Sequence, residues 1–218
     1  MTSAADPEPA MTDARFTLYH APRSRSIRPR WALEEMGLDY RLERVAFTHG
    51  DVGGPSYREV NPLQKIPAFM DGDAVILESV AILEYLVNKY GPTPLAVLPD
   101  EPEYPRYLEW LHFGEGTMTT PVNMLLGHTW LLPEEHRIEA MARWGRREAD
   151  RHLNMISERG LKHSDYLAGD RFTAADISVG YMLFLLKLLR VLDDAPGPVQ
   201  AYWKRITARE AWIKASAD

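Results

Sequence analysis

Five prolines fall between residues 92 and 105, in the stretch PTPLAVLPDEPEYP, and no regular helix or strand continues through them. The patterns on its two sides differ. Upstream, short β-prone runs alternate with helical ones. Downstream there is no convincing strand, only helical periodicity. A chain divided this way is expected to be a mixed α/β unit over residues 15–92, a linker over 93–103 and an all-helical unit over 104–218. At 218 residues, one large domain or two modest ones can bury an adequate core. Residues 1–14 read as a disordered tail without the basic and apolar segments of a secretory signal, and Met11 is an alternative start.

Within the first unit, Phe16–His20 reads as a short strand and Ile27–Met36 as a helix closed by Gly37. Pro29 falls in the first helical turn, where its missing N–H costs nothing if Ser26 is the cap. Tyr40–Val45 alternates as a second strand, completing a βαβ unit with parallel strands. Phe47–Val60 is expected to be a loop with at most a short helix. Ile66–Met70 and Ala74–Leu77 flank Asp71-Gly72 as a hairpin, followed by a helix over Val80–Tyr90. The helical unit is expected to comprise Tyr104–Leu126, Pro133–Glu158, the almost wholly apolar Thr173–Leu192, and further helices from Val199.

Composition removes several chemistries. There is no cysteine, so a disulfide framework, a zinc–thiolate site and a protein thiol nucleophile are all excluded. Any reactive sulfur must come from a ligand. The net charge of −6 argues against a broad nucleic-acid surface. The seven histidines are scattered without metal-cage spacing, and no phosphate-loop, dinucleotide or serine-hydrolase motif occurs. The longest apolar run, Ile177–Leu192, is interrupted by Lys187 and Arg190 and is shorter than the ~20 residues of a membrane span.

Four local features bear on chemistry. In His20-Ala-Pro-Arg-Ser24-Arg-Ser26, the plain role of Ser26 is a helix cap. The same turn presents backbone N–H groups and the positive helix end, and Ser24, which precedes the cap, is placed to donate to a bound thiolate. Arg23, Arg25 and Arg28 add positive potential. Lys65-Ile66-Pro67 reads on its own as an ordinary trans proline at a strand edge; a cis bond would instead expose the Ile66 backbone to an extended peptide. Ser79 is either a plain cap or, with Glu78, the reader of an amino-acid end, holding its carboxylate while Glu78 pairs with its amine. Thr173-Ala-Ala-Asp176 is a capping box with Asp in place of Glu, flanked by Phe172 and Ile177 at staple positions.

In order along the chain, LYHAPRSRSIRPRWALEEMGLDY, NPLQKIPAF, DGDAVILESVAILEYL and YLAGDRFTAADI closely resemble the cytosolic glutathione transferase family, over essentially everything but the tail. RYLEWLHFGEGTMTTPV is similar to a bacterial subgroup related to fungal Gtt-type transferases. The resemblance implies a thioredoxin-like α/β N-terminal domain, an all-α C-terminal helical domain, a homodimer and a cytoplasmic location. It also implies that Pro67 is cis, that the Ile66 backbone holds the cysteinyl part of glutathione, that Glu78 and Ser79 hold its γ-glutamyl end and that Lys65 sits near its glycyl carboxylate. Thr173–Asp176 matches the family's folding cap. The family places a Tyr, Ser or Cys just after the first strand. Tyr19 belongs to the strand, and ungapped matching to serine-type members falls at Arg23 or Ser24. Ser24 is the expected activating residue, Ser26 the alternate and Arg25 an electrostatic support. The lack of cysteine sets aside the cysteine-type thiol transferases and dehydroascorbate reductases.

The implied activity is conjugation of the glutathione thiolate to small hydrophobic electrophiles, with glutathione as co-substrate, no other cofactor, no metal, and neither nucleic acid nor membrane as partner. Read alone, helical aromatics such as Trp110, Phe113 and Trp144 belong to a core. The mechanism nevertheless assigns the stretch around Trp110, Phe113 and Met118 to the electrophile pocket. Two other activities fit the same residues: a glutathione-dependent peroxidase or disulfide-bond reductase, and a non-enzymatic binding module.

Overall fold

The structure, a computed structural model, describes residues 14–46 and 52–217. The expected tail, apart from Ala14, and the beginning of the Phe47–Val60 loop lie outside the described residues. β1 (Phe16–His20) is one of two inner strands of the N-terminal half. It pairs in parallel with β2 (Tyr40–Arg44), Leu18 opposite Leu42, and antiparallel with β3 (Ala68–Asp71), Leu18 opposite Phe69. β4 (Ala74–Ile76) completes the order β2-β1-β3-β4.

The period-two alternation of β1 feeds two apolar clusters. Phe16 and Leu18 join the main core with α1 (Ile27–Met36) and α3 (Ser79–Lys89). Tyr19 faces a smaller cluster of Ala21, Tyr57, Ile66 and Ala68, covered by α2 (Gly54–Val60). The hairpin is where DG predicts it, but Asp71 still pairs with Ala74, so the two-residue loop is Gly72-Asp73, with Gly72 at φ 58°. The freed Asp71 carboxylate is buried and accepts hydrogen bonds from Arg15 Nε at 2.6 Å, Tyr85 at 2.6 Å, Lys89 Nζ at 3.0 Å and the Tyr90 hydroxyl.

In the helical half, the predicted Tyr104–Leu126 helix is continuous but not uniform. α4 (Tyr104–His112) widens into a π-helical turn at Phe113–Thr117 before α5 (Thr119–Leu126), and a second π turn follows at Gly127–Leu131. α6 (Glu139–Met155) lies antiparallel to this arm. α7 (Ala174–Leu188) is buried almost all round, as its predominantly apolar sequence requires. Its capping box forms: Asp176 Oδ2 accepts from Thr173 N at 2.8 Å, while Oδ1 accepts from Leu167 N at 3.0 Å and the Tyr202 hydroxyl at 2.8 Å. α8 (Gly197–Thr207) and α9 (Glu210–Ser216) bring the chain back onto α1. There Trp31 packs against Trp212 and Phe172, with ring centroids 4.7 and 5.3 Å apart.

Two cap expectations need correction. Ser26 occupies the cap position of α1, but its hydroxyl makes no cap bond, because it is turned inward to other partners. At α3 the cap position belongs to Glu78, and Ser79 is the first helical residue. Gly37 ends α1 at φ 63°, as expected.

Candidate functional site

The turn from β1 into α1 is held by its own groups. Ser24 N donates to Ala21 O, Ile27 N to Ser24 O and Ser26 N to Ser24 Oγ, at 3.1–3.3 Å. These backbone donors are therefore used locally, which corrects the expectation that they point outward to an anion. The side-chain hydroxyl of Ser24 remains. It is half-buried, donates to Ala21 O at 2.7 Å and lies 2.6 Å from Ser26 Oγ. Ser26 is fully buried, with Oγ 2.8 Å from His20 Nδ1. The three side chains form a chain of contacts, His20–Ser26–Ser24, with only Ser24 at the surface of the cleft.

That cleft has a volume of about 460 Å³. Pro22, Arg23, Ser24 and Arg25 form one side, and Lys65 and Ile66 form its floor. The wall from the helical half is Asn123, Leu126, Trp130 and Leu131 from α5 and the following π turn, with Tyr181, Leu185 and Leu188 from α7. The Ile66–Pro67 peptide bond is cis. The preceding carbonyl, Lys65 O, is fixed by the Tyr57 hydroxyl at 2.7 Å and Asn61 Nδ2 at 2.6 Å, both from the α2 region. Burial pushes Tyr57 up to about 12, so it stays a donor at physiological pH.

Trp110, Phe113 and Met118 do not line the cleft. All three are buried in the main core, with the Trp110 and Phe113 rings 5.0 Å apart edge to face. The apolar stripe of α4 faces inward, and the wall comes one arm further along, from α5 and α7. Tyr181, Leu185 and Leu188 follow an i, i+4, i+7 spacing on one face of α7. In a helix apolar all round, no periodicity distinguishes that face from any other. Leu126 and Trp130 are four apart, but they cross into the π turn, which the sequence does not announce.

Glu78 and Ser79 are outside the lining of the cleft, Glu78 exposed and Ser79 buried. A residue noted in the sequence only for its charge connects them to it. The Arg28 guanidinium is wholly buried and donates to Ser79 Oγ at 3.1 Å and to Ser178 O at 3.0 and 3.1 Å. It also pairs with Glu115 and lies 4.9 Å from the Tyr181 ring centroid. Glu115, in the π turn after α4, takes Arg25 Nε as well, at 2.9 and 3.1 Å. Arg25 further reaches Thr119 Oγ1 at 3.3 Å. Burial lowers the Arg28 pKa while Glu115 opposes that change. Burial likewise disfavours charged Glu115, but Arg28 and Arg25 outweigh it and hold the carboxyl below its ordinary value. The only sequence signal for Glu115 is an acid between two glycines, FGEG, inside a helical pattern.

A four-stranded mixed sheet flanked by helices, joined to an all-helical half across a cleft at the first strand-to-helix turn, is the thioredoxin-like architecture of glutathione transferases. Family profiles described as glutathione S-transferase N-terminal domain and C-terminal domain match residues 14–88 and 136–205. Glutathione S-transferase 3 of Schizosaccharomyces pombe is 30% identical over 93% of this chain and 87% of its own length. A glutathione transferase structure from Methylococcus capsulatus superposes with a TM-score of 0.79 at 30% identity, covering 92% of this chain and 97% of that one. One from Phanerochaete chrysosporium, in complex with oxidized glutathione, gives 0.80 at 28% identity, covering 93% and 95%. The chain belongs to the glutathione S-transferase family. Among the described residues, no helix is long and apolar enough to cross a membrane.

Proposed function

We propose that this chain conjugates the thiolate of glutathione to small hydrophobic electrophiles, as a serine-type transferase. The observation that carries the reading is that the Ser24 hydroxyl and Ile66, next to the cis proline, line one cleft whose far wall is apolar. The Ile66 backbone pairs with the cysteinyl unit of glutathione, in the manner of an added strand. Lys65 receives the glycyl carboxylate, and Ser79 with Glu78 receives the γ-glutamyl end. Arg25 supports the turn electrostatically through Glu115.

Free glutathione, with a thiol pKa near ~8.5, is mostly protonated at neutral pH. A hydrogen bond donated to sulfur favours the thiolate and increases the nucleophilic fraction. Ser26 donating to Ser24 frees the Ser24 proton to turn from Ala21 O to the sulfur, a reorientation supported by the 2.6 Å separation of the two hydroxyls. The thiol proton leaves to water. The sulfur then forms a bond to the electrophilic carbon, and the leaving group departs with its electron pair. Holding both reactants in one apolar cleft supplies orientation and excludes competing water.

Replacing Ser24 by Ala is expected to lower kcat by about 100-fold, the typical effect of removing one preorganised donor, with glutathione affinity little changed. Steady-state turnover of a chloroaromatic electrophile measures it, and unchanged kcat removes Ser24 from this role. A hydroperoxide and a small disulfide, run beside that electrophile, test whether the thiolate attacks oxygen or sulfur faster than carbon. We further propose a cytoplasmic homodimer with domains over 15–92 and 104–218 and a linker over 93–103, supported by the family resemblance and by the change of element type. Light scattering on the purified chain gives the mass that decides between one copy and two.

A further inference from the structure

The cleft carries a charge pattern that conjugation of a neutral electrophile does not require. Its charged lining is Arg23, Arg25 and Lys65 without one Asp or Glu, in a chain of net charge −6. Two of these cations have other assignments: Arg25 is paired with Glu115, and Lys65 adjoins the Ile66 segment assigned to the tripeptide. The Arg23 side chain is exposed and makes no ion pair among the described residues. Its backbone is unusual as well. Arg23 stands at φ 58°, in the left-handed region that favours glycine, and its carbonyl accepts a hydrogen bond from the Tyr181 hydroxyl at 3.2 Å. The turn thus presents a long cation from a position where a small residue is less strained, and α7 holds it there. The same cleft is lined by Leu126, Trp130, Leu185 and Leu188.

We propose that Arg23 anchors an anionic group on the second substrate, so that the electrophiles of this cleft are apolar bodies bearing a carboxylate or sulfonate. The proposal rests on the transferase reading above and specifies its substrate class. The apolar body packs on the leucines and Trp130, the reactive carbon faces Ser24, and the anion lies at the solvent edge beside the guanidinium. A planar guanidinium offers two parallel donors to a carboxylate, which fixes the orientation of the substrate as well as attracting it.

Calorimetry with the full chain tests this using two conjugates, S-benzylglutathione and S-(p-carboxybenzyl)glutathione, which differ only in the anion. The expected result is about threefold to tenfold tighter binding of the carboxylated conjugate, the size of a partly exposed charge contact, shrinking as salt is raised. Arg23→Gly, which removes the cation and suits the left-handed backbone, is expected to abolish that preference, and Arg23→Lys to keep part of it. Equal binding of the two conjugates by the unaltered chain overturns the anionic class and leaves the transferase reading in place. A preference that survives in Arg23→Gly overturns the assignment to Arg23. So does an equal loss of affinity for both conjugates, which makes Arg23 a contact for the tripeptide. Failure of both conjugates and of glutathione itself to bind removes the transferase reading, and the proposal with it.

Discussion

Ser24 and Ser26 are two positions apart and in different surroundings, one at the edge of the cleft and the other fully buried against His20. If Ser26 acts by orienting Ser24, Ser26→Ala lowers turnover less than Ser24→Ala, by about tenfold rather than 100-fold. Both raise the pKa of bound glutathione, read from thiolate absorbance against pH; an unshifted pKa in Ser26→Ala makes that serine merely structural. The sequence makes the turn legible, because small hydroxylated residues between an apolar strand and a helix have few other uses. It does not rank the two serines. Moving a helix start by one residue rotates a side chain by about 100°, and that phase is set by tertiary packing of Trp31 and Ile27, not by the turn itself. Arg28 was illegible for a related reason: a charge in a first helical turn reads as solvated until its neighbours are known.

The π turn at Phe113–Thr117 is the element that brings Glu115 to two arginines. Glu115→Gln removes the charge opposite the buried Arg28 and is expected to cost about 3 kcal/mol, measured by urea unfolding. It should also weaken glutathione binding, since Arg28 touches Ser79. A stability within 1 kcal/mol of the parent, about the value of an exposed pair, contradicts this account. At Gly114, one residue before, a Cβ would lie 2.5 Å from Ser178 Oγ and 2.6 Å from Ser178 O, so α7 and this turn would have to move apart to admit one. Gly114→Ala is therefore expected to cost roughly 1–3 kcal/mol through overpacking. Strands and the long helices are readable from periodicity and from Gly and Pro positions, whereas the caps expected of Ser26 and Ser79 are not formed. The capping box was readable residue by residue, and Thr173→Ala should cost about 1 kcal/mol in thermal or urea unfolding. The π turn was not readable, because its residues keep helical composition and only one additional residue per turn distinguishes it. Trp110, Phe113 and Met118 are core, as helical aromatics read from sequence alone; it is the mechanism, not the helical pattern, that assigns them to a wall which α5 and α7 supply.

At the scale of the whole molecule, acid stability has a definite sign. Burial disfavours ionised Asp71, but bonds from Arg15, Tyr85, Tyr90 and Lys89 outweigh it and hold the carboxyl well below its ordinary range. Glu115 is shifted the same way. Each contributes stability that is complete above the unfolded carboxylate range of about 3.9–4.3 and is lost as pH falls through its lower folded value. Asp176, which burial pushes up, acts in the opposite direction and partly offsets them. Asp71→Asn should accordingly flatten the loss of stability below about pH 4, followed by urea midpoints against pH. Arg28 adds a consequence that concerns manufacture of the protein in the cell. Its guanidinium belongs to the first half of the chain, while Glu115, Ser178 O and the Trp212 ring that covers Trp31 are synthesised later. As the polypeptide emerges from the ribosome, the turn between β1 and α1 waits, with a cation and an indole still in water, for residues near the carboxyl end. A nascent chain truncated before α7 should therefore be caught by proteases and chaperones, and not released as a half-sized glutathione binder.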